Sequence, residues 1–220
     1  VVPLAVSLAP IVRKFPVNSI NISTEQSVSG AGRRVLERYR EGVMPGPEII
    51  GESQSIESEL RRILNEYDSS ESDSANLKIN AQCKRFPREF GHSATVTVDL
   101  GRDVGAHEVI EVWSDFQSLV QHLDLPSGTK KPLIFASETG PSTTSLNYKK
   151  SNKLDIDIQK SMDVIVGDIN ISGSKLRYRV ASDNTVRGAA GNSILLAEMM
   201  LAQGIIHDSK NILKSSQNVR

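Results

Sequence analysis

The sequence predicts an α+β fold in which a mixed, largely antiparallel sheet carries long helices on one face. Two observations lead to this prediction. Short segments of alternating apolar and polar residues, typical of half-buried strands, occur in neighbouring pairs along the chain. Three long segments with apolar residues at helical spacing separate those pairs. No segment repeats at a fixed period, and we expect residues 1–220 to form a single domain.

The helices are predicted from apolar residues that recur every three or four positions. They cover residues 1–15, 33–41, 52–67, 109–123 and 187–203. We expect the first helix to break or bend near Pro10, because proline removes a helical hydrogen bond. The last helix is rich in alanine, and Gly204 follows it as a natural C-terminal cap.

The strands are predicted from alternation of apolar and polar residues. They cover residues 17–23, 77–83, 96–100, 132–136, 154–158, 164–166 and 176–180. Residues 68–76 are acidic, rich in serine and free of core residues, so we expect a surface loop there. Residues 137–153 are polar throughout and predict a second surface loop.

Composition excludes several classes of function. The chain carries 26 basic and 26 acidic side chains and only 5% aromatic residues, which argues against nucleic acid and acidic membranes as partners. No apolar run approaches the roughly 20 residues that span a bilayer. Cys83 is the only cysteine, which rules out an intrachain disulfide and fits a reducing compartment. We therefore expect a cytoplasmic protein.

Residues 24–34 join a predicted strand to a predicted helix and contain Gly30 and Gly32. Free backbone amides and polar side chains at such a turn suit an anion or a cofactor phosphate. The turn does not match the dinucleotide fingerprint, because Val35 stands where a third glycine is needed. It also lacks the Lys-Ser/Thr pair of a P-loop. A tight turn that binds no ligand is therefore the alternative interpretation.

Arg85 and His92 flank the connection between two predicted strands. An arginine can hold a carboxylate through two parallel hydrogen bonds, and a histidine can act as an acid and base near neutral pH. A structural or surface role is the alternative for His92. The histidines lack the spacing of metal ligands, so no metal site is predicted. Cys83 lies in the alternation of a strand and is predicted to face the core rather than to act as a nucleophile.

Four short segments with polar or glycine-rich sequences occur in a specific order along the chain. They are Gln26-Ser27-Val28-Ser29-Gly30-Ala31-Gly32, Cys83-Lys84-Arg85 with Gly91-His92-Ser93, Val166-Gly167-Asp168-Ile169, and Ser182-Asp183-Asn184 with Gly188-Ala189-Ala190 and Asn192. Together they resemble the C-terminal catalytic and dimerisation domain of bacterial aspartate-semialdehyde dehydrogenase, including that family's Arg-to-His spacing of seven. The resemblance covers nearly the whole chain.

The resemblance implies an activity and residue roles. The family reduces aspartyl phosphate to aspartate semialdehyde with NADPH, through a cysteine thioester, on the route to lysine, methionine and threonine. By position, Gln26 would orient the acyl intermediate and His92 would be the acid and base. Arg85 would hold the substrate carboxylate, and Glu52 would contact the substrate from the head of a helix. The positions that contact the cofactor in the family are occupied here by Ser29, Gly30 and Asn184. The resemblance also implies a homodimer.

Departures from the family pattern leave a second function open. The family's nucleophilic cysteine and NADP-binding domain correspond to positions before Val1, so we expect this chain by itself neither to form the thioester nor to bind NADP well. Ser55 replaces a lysine that contacts phosphate, and Val186 and Arg187 replace an arginine and a lysine. We therefore expect either the substrate-binding and dimerisation part of such a dehydrogenase, or a non-catalytic relative that serves as a dimeric interaction module.

Overall fold

The computed structural model describes residues 1–67, 77–135 and 162–207. Its strands are β1 (Ser19–Gln26), β2 (Lys78–Arg85), β3 (His92–Asp99), β4 (Ile134–Phe135), β5 (Val164–Ser172) and β6 (Lys175–Ser182). They form one six-stranded sheet in the order β2-β1-β3-β6-β5-β4. The β1–β2 and β4–β5 pairs are parallel, and the other three pairs are antiparallel. The predicted α+β fold with a mixed, largely antiparallel sheet is confirmed.

The helices are α1 (Val2–Lys14), α2 (Arg33–Arg40), α3 (Glu52–Tyr67), α4 (Ala106–Asp115), α5 (Leu119–His122) and α6 (Gly191–Ala202). Three of them cover one face of the sheet: α3 contacts β2, α1 contacts β5 and β6, and α4 packs beside α1. The opposite face presents exposed polar side chains, among them Asn21, Ser23, Lys84 and Arg177. The prediction of helices on one face is therefore also confirmed.

The core lies between α1, α4 and the central strands, and the polar atoms of Ser7, Trp113 and Tyr178 within it are paired. Leu8 and Ile11 of α1 are fully buried, and each such side chain contributes roughly 1.5–3 kcal/mol to folding. The rings of Trp113 and Tyr178 meet edge to face at 4.9 Å. Ser7 joins them, because its hydroxyl lies 2.9 Å from the Tyr178 hydroxyl and its carbonyl accepts from Trp113 Nε1 at 2.8 Å. These contacts fix α1 across the sheet.

The single helix predicted over residues 109–123 is wrong, because the chain forms α4 and α5 instead. Phe116 is extended, with φ −64° and ψ 123°. Ser118 then starts a new helix: its hydroxyl accepts from the Val120 amide at 3.3 Å, and its amide donates to Gln121 Oε1 at 3.0 Å. This capping box stabilises a new helix start at Ser118 over a continuation of α4. The spacing of the apolar residues alone did not reveal it.

Two further predictions about the helices are wrong, and one is confirmed. Helix α1 continues through Pro10, so a break there is wrong; Pro10 is buried, and packing outweighs the hydrogen bond that it removes. The last helix begins later than residue 187, because Val186–Ala190 form a π-helical turn before α6. The predicted cap is confirmed, since Gly204 has φ +70° and lies just beyond the end of α6.

Some predictions fall outside the described residues or are not tested by them. The loops at 68–76 and 137–153 and the strand at 154–158 fall among the residues that the structure does not describe. Cys83 is half-buried and packs against the core, as the alternation predicts. The single-domain organisation of residues 1–220 stays a prediction.

Candidate functional site

The ends of four adjacent strands bring polar side chains into one row on the helix-covered face. Gln26 at the end of β1 pairs with Arg85 of β2. In the antiparallel pair of β1 and β3, Glu25 pairs with Ser93, so the next positions along the two strands place Gln26 beside His92. His92 in turn pairs with Ser182 of β6. Paired positions in neighbouring strands point to the same face. With strands about 4.8 Å apart, the Arg85 and His92 backbones are separated by about 10 Å.

A cavity of about 180 Å³ lies against this row. The first residues of α1, Ile56 of α3 and Ala94 of β3 supply its apolar walls. Four of the seven predicted site residues line it: Gln26, Glu52, His92 and Asn184. The structure therefore brings together side chains that lie far apart in the sequence. Arg85, Ser29 and Gly30 are not among the residues that line the cavity.

His92 is the titratable group at the centre of the row. Its Nε2 atom is buried and has no hydrogen-bond partner within the part of the chain that the structure describes. Burial lowers its pKa to about 4; the positive charges of Arg88 and Arg85 act in the same direction, and Asp183 opposes them. The imidazole is therefore neutral at neutral pH and can accept a proton from a ligand.

Gly30 approaches the imidazole so closely that a larger residue would disturb it. A Cβ atom at this position would lie 3.3 Å from His92 Nε2 and 3.9 Å from Gln26 Oε1. Glycine therefore lets the turn after β1 close over the row. The turn predicted at residues 24–34 is observed as a 3₁₀ turn over Val28–Ala31, followed by α2.

Glu52 is the first residue of α3, as expected for the head of a helix. Its Oε1 atom accepts a hydrogen bond from Gln26 Nε2 at 2.9 Å. This contact orients the Gln26 amide towards the cavity and ties α3 to the end of β1. Ser55, which stands where the family has a lysine, is exposed and does not line the cavity.

Arg85 carries a second buried polar atom without a partner. Its Nη1 is enclosed but makes no hydrogen bond among residues 1–67, 77–135 and 162–207. Leaving a buried donor unsatisfied costs about 1–3 kcal/mol, and more for a charged group. The backbone amide of Arg85 is held by the Pro47 carbonyl at 2.8 Å. An arginine fixed in this way is chemically suited to an anionic ligand such as a carboxylate.

Asn184 joins three segments at the edge of the site. Its Oδ1 accepts from the Gly91 amide at 2.8 Å and from Ser27 Oγ at 3.1 Å, and its Nδ2 donates to Ser29 Oγ at 2.9 Å. An asparagine side chain offers two acceptor and two donor positions, so one N–H remains for a ligand. That N–H is the group that Asn184 can offer to a cofactor, and Gly30, another predicted cofactor contact, is exposed and lies beside His92.

Several cavity-lining residues were missed by sequence reasoning, among them the polar residues Thr24, Ser93 and Ser182. Thr24 Oγ1 is buried and unpartnered in the described part of the chain, and Ser182 closes the row on the β6 side. Thr24 lies two positions before Gln26 on the same face of β1. The alternation would have indicated it, had the predicted strand been extended beyond residue 23 to the observed end at Gln26.

The described residues hold neither a metal centre nor a membrane-spanning helix. They contain no cluster of three or more histidine, cysteine, aspartate or glutamate side chains that could hold a metal ion. None of the helices in the described ranges is long and apolar enough to cross a membrane.

The fold and the row of polar side chains define an α+β domain with a small-molecule cavity at the ends of its central strands. Residues 8–187 match the family described as semialdehyde dehydrogenase, dimerisation domain. The chain belongs to this family, and the family predicted from the sequence motifs is confirmed.

Relatives with a named activity support the same placement. The chain is 32% identical to an aspartate-semialdehyde dehydrogenase of Methanothermobacter thermautotrophicus, over 90% of the chain and 56% of the relative. It is 33% identical to one of Archaeoglobus fulgidus, over 92% of the chain and 56% of the relative. The crystal structure of aspartate semialdehyde dehydrogenase with NADP from Candida albicans matches with a TM-score of 0.68 and 26% identity, over 93% of this chain and 56% of that chain. The chain thus spans about half the length of the relatives that it matches.

Proposed function

We propose that the chain is the substrate-binding and dimerisation part of a cytoplasmic aspartate-semialdehyde dehydrogenase. The reaction is the NADPH-dependent reductive dephosphorylation of L-aspartyl 4-phosphate to L-aspartate 4-semialdehyde, which serves lysine, methionine and threonine biosynthesis. The observation that carries the proposal is the alignment of Arg85, Gln26 and His92 on adjacent strand ends, of which Gln26 and His92 line a cavity, in a member of this family.

Each residue of the row has a role that its environment supports. The neutral imidazole of His92 would accept a proton from the reacting group and return it, since its Nε2 has no partner in the described residues. Arg85 would bind the substrate carboxylate through its buried Nη1. Gln26, held by Glu52, would orient the acyl group, and the remaining Glu52 oxygen would contact the substrate amine.

We propose that Asn184, Ser29 and Gly30 contact one edge of the cofactor. Asn184 keeps one N–H and bonds to Ser29 Oγ, and Gly30 lies next to His92. NADP, when bound, would exchange hydride with the substrate carbon, and these three residues would hold it beside His92. Because the relatives are longer than this chain, we assign the other cofactor contacts and the nucleophilic cysteine to that additional length.

The proposed homodimer uses the sheet face that the helices leave open. This face carries exposed polar side chains on β1, β2 and β6 around the half-buried Thr95 on β3. In dynamic light scattering, we expect the wild-type chain and Ser58→Arg, on the exposed side of α3, to be dimers. Thr95→Arg should give a monomer, because it brings two like charges together across a two-fold axis. A monomeric wild-type chain at micromolar concentration would reject the dimer.

The alternative is a non-catalytic dimeric module, to which the loss of the family lysine at Ser55 points. Ser55 is exposed and does not line the cavity, so this substitution leaves the polar row unchanged. We therefore favour the dehydrogenase.

The test is an assay of the full gene product that contains these residues, with aspartate semialdehyde, phosphate and NADP. We expect NADPH to form in the wild type and in His107→Gln, a control at an exposed histidine of α4. His92→Gln should lower its rate of formation by about 10²–10⁴-fold. A folded wild-type protein that forms no NADPH would reject the dehydrogenase and favour the interaction module.

A further inference from the structure

We propose that Arg88 is a positioning residue that fixes the backbone on both sides of His92 for the reaction proposed above, on which this inference rests. Its Nε donates to the Gly91 carbonyl at 2.9 Å, and its Nη2 donates to Ser93 Oγ at 3.0 Å. These acceptors belong to the residues immediately before and after His92. Its Nη2 also lies 3.2 Å from the Glu25 carbonyl in β1. One guanidinium thus links the two strand ends that form the site.

Arg88 contacts Ser93 on the face of the sheet opposite the cavity. Ser93 and Glu25 alternate with His92 and Gln26, so their side chains point away from the site. Glu25 Oε2 accepts from Ser93 Oγ at 3.0 Å and from Arg179 Nη2 at 3.2 Å. The carboxylate therefore pairs with Arg179, and the Ser93 hydroxyl links it to Arg88.

The residue before His92 is held at both of its polar groups. Gly91 has φ +85°, a left-handed conformation that favours glycine. Its amide donates to Asn184 Oδ1 at 2.8 Å, and its carbonyl accepts from Arg88. Fixing this peptide sets the direction in which the imidazole leaves the backbone. A site that depends on proton transfer is sensitive to such a shift, because a displacement of about 1 Å can cost about a hundredfold in rate.

Arg88 differs from Arg85 in the use of its donors. Arg85 Nη1 has no partner among the described residues, whereas Arg88 makes the three bonds above and further contacts. Its donors are therefore committed to the protein rather than to a ligand. A lysine keeps the charge but cannot reproduce the planar fork that reaches several acceptors at once.

The test compares Arg88→Lys and Arg88→Gln with the matched controls Arg62→Lys and Arg62→Gln, at an exposed arginine on α3. In the full gene product, we expect both Arg88 variants to lower kcat about tenfold to a hundredfold, with the KM for aspartate semialdehyde within about threefold of wild type. Lysine should not rescue kcat, and the Arg62 variants should match wild type.

A second measurement is independent of activity. In the 220-residue chain, NMR titration of the His92 imidazole should give a higher pKa in Arg88→Lys than in wild type, because the charge is kept while the ring becomes more solvated. The Arg62 variants should leave the pKa unchanged. Should Arg88→Gln fail to fold, Arg88→Lys carries both measurements.

The outcomes separate this inference from the proposed function. An inactive wild type in which Arg88→Lys still shifts the His92 titration rejects the dehydrogenase but supports the positioning role. Wild-type kcat in Arg88→Lys, or an unchanged His92 titration, overturns the positioning role. A raised KM with unchanged kcat also overturns it, because Arg88 would then be a substrate contact.

Discussion

Adjacent residues at the same strand ends point to opposite faces of the sheet, and the two faces differ in hydrogen bonding. On the covered face, Arg85 Nη1 and His92 Nε2 are buried without partners in the described ranges. On the open face, the Ser93 hydroxyl lies 3.0 Å from both Glu25 Oε2 and Arg88 Nη2. Unsatisfied buried polar groups reduce stability, so each one in a folded protein requires an explanation, such as a ligand that it binds. We infer that the unpartnered atoms on the covered face bind a ligand. The hydrogen bonds on the open face hold the strand ends that carry those atoms.

The largest expected effect comes from removing His92, the proposed proton carrier on the covered face. His92→Gln should lower kcat by about 10²–10⁴-fold, the usual contribution of a general acid and base. Glutamine retains polarity and similar size but cannot titrate. The measurement is the NADPH-forming assay, with circular dichroism to show that the variant is folded. A variant with more than about a tenth of wild-type kcat would contradict the role of His92.

The second prediction concerns acid stability. The pKa of His92 falls from an ordinary value of 6.5 in the unfolded chain to about 4 in the folded chain. Between these values the unfolded chain binds more protons, so the stabilisation present above pH 6.5 is lost as the pH falls towards 4. The loss amounts to up to about 3 kcal/mol. Urea unfolding of the chain at several pH values measures it.

The control for acid stability is His92→Gln, which should flatten this part of the pH profile. The remaining slope then belongs to other titrating groups. An unchanged profile in the variant would show that His92 is solvated in the folded chain.

The third prediction compares one hydroxyl on each face. Ser93→Ala removes contacts with Glu25, Arg88 and Arg179 and should lower the free energy of unfolding by about 1–2 kcal/mol. Thr24→Val keeps the shape but removes a hydroxyl that has no partner among the described residues, so it should be neutral or stabilising by about 1 kcal/mol. Urea unfolding at neutral pH measures both. If the two variants lowered the free energy of unfolding equally, this would contradict the difference in hydrogen bonding between the two faces.

The smallest expected effect is at Gly30. Gly30→Ala would place a methyl group 3.3 Å from His92 Nε2, so the ring must move by a few tenths of an ångström. We expect kcat to fall by up to about tenfold while stability stays within about 1 kcal/mol. Gly46→Ala is the matched control, because nothing lies within 4 Å of its added Cβ. Equal kcat in both variants would show that the turn does not constrain the ring.

The sequence predicted the fold and most of the polar row, and physical reasons explain what it missed. Alternation placed Cys83 towards the core, and the order of four motifs identified Gln26 and His92. Thr24 escaped because the predicted strand stopped one residue short of it. Arg88 could not be found, because Glu25, one of its acceptors, lies 63 residues away and becomes a neighbour only when the sheet has formed.

The central claim is that His92 is half-buried beside positive charge and that its buried Nε2, which has no partner among the described residues, is ready for a ligand. The most direct measurement is an NMR pH titration of its imidazole in the chain. The account predicts a midpoint at about 4. A midpoint at the ordinary histidine value of 6.5 would show a solvated or hydrogen-bonded histidine and would contradict the account.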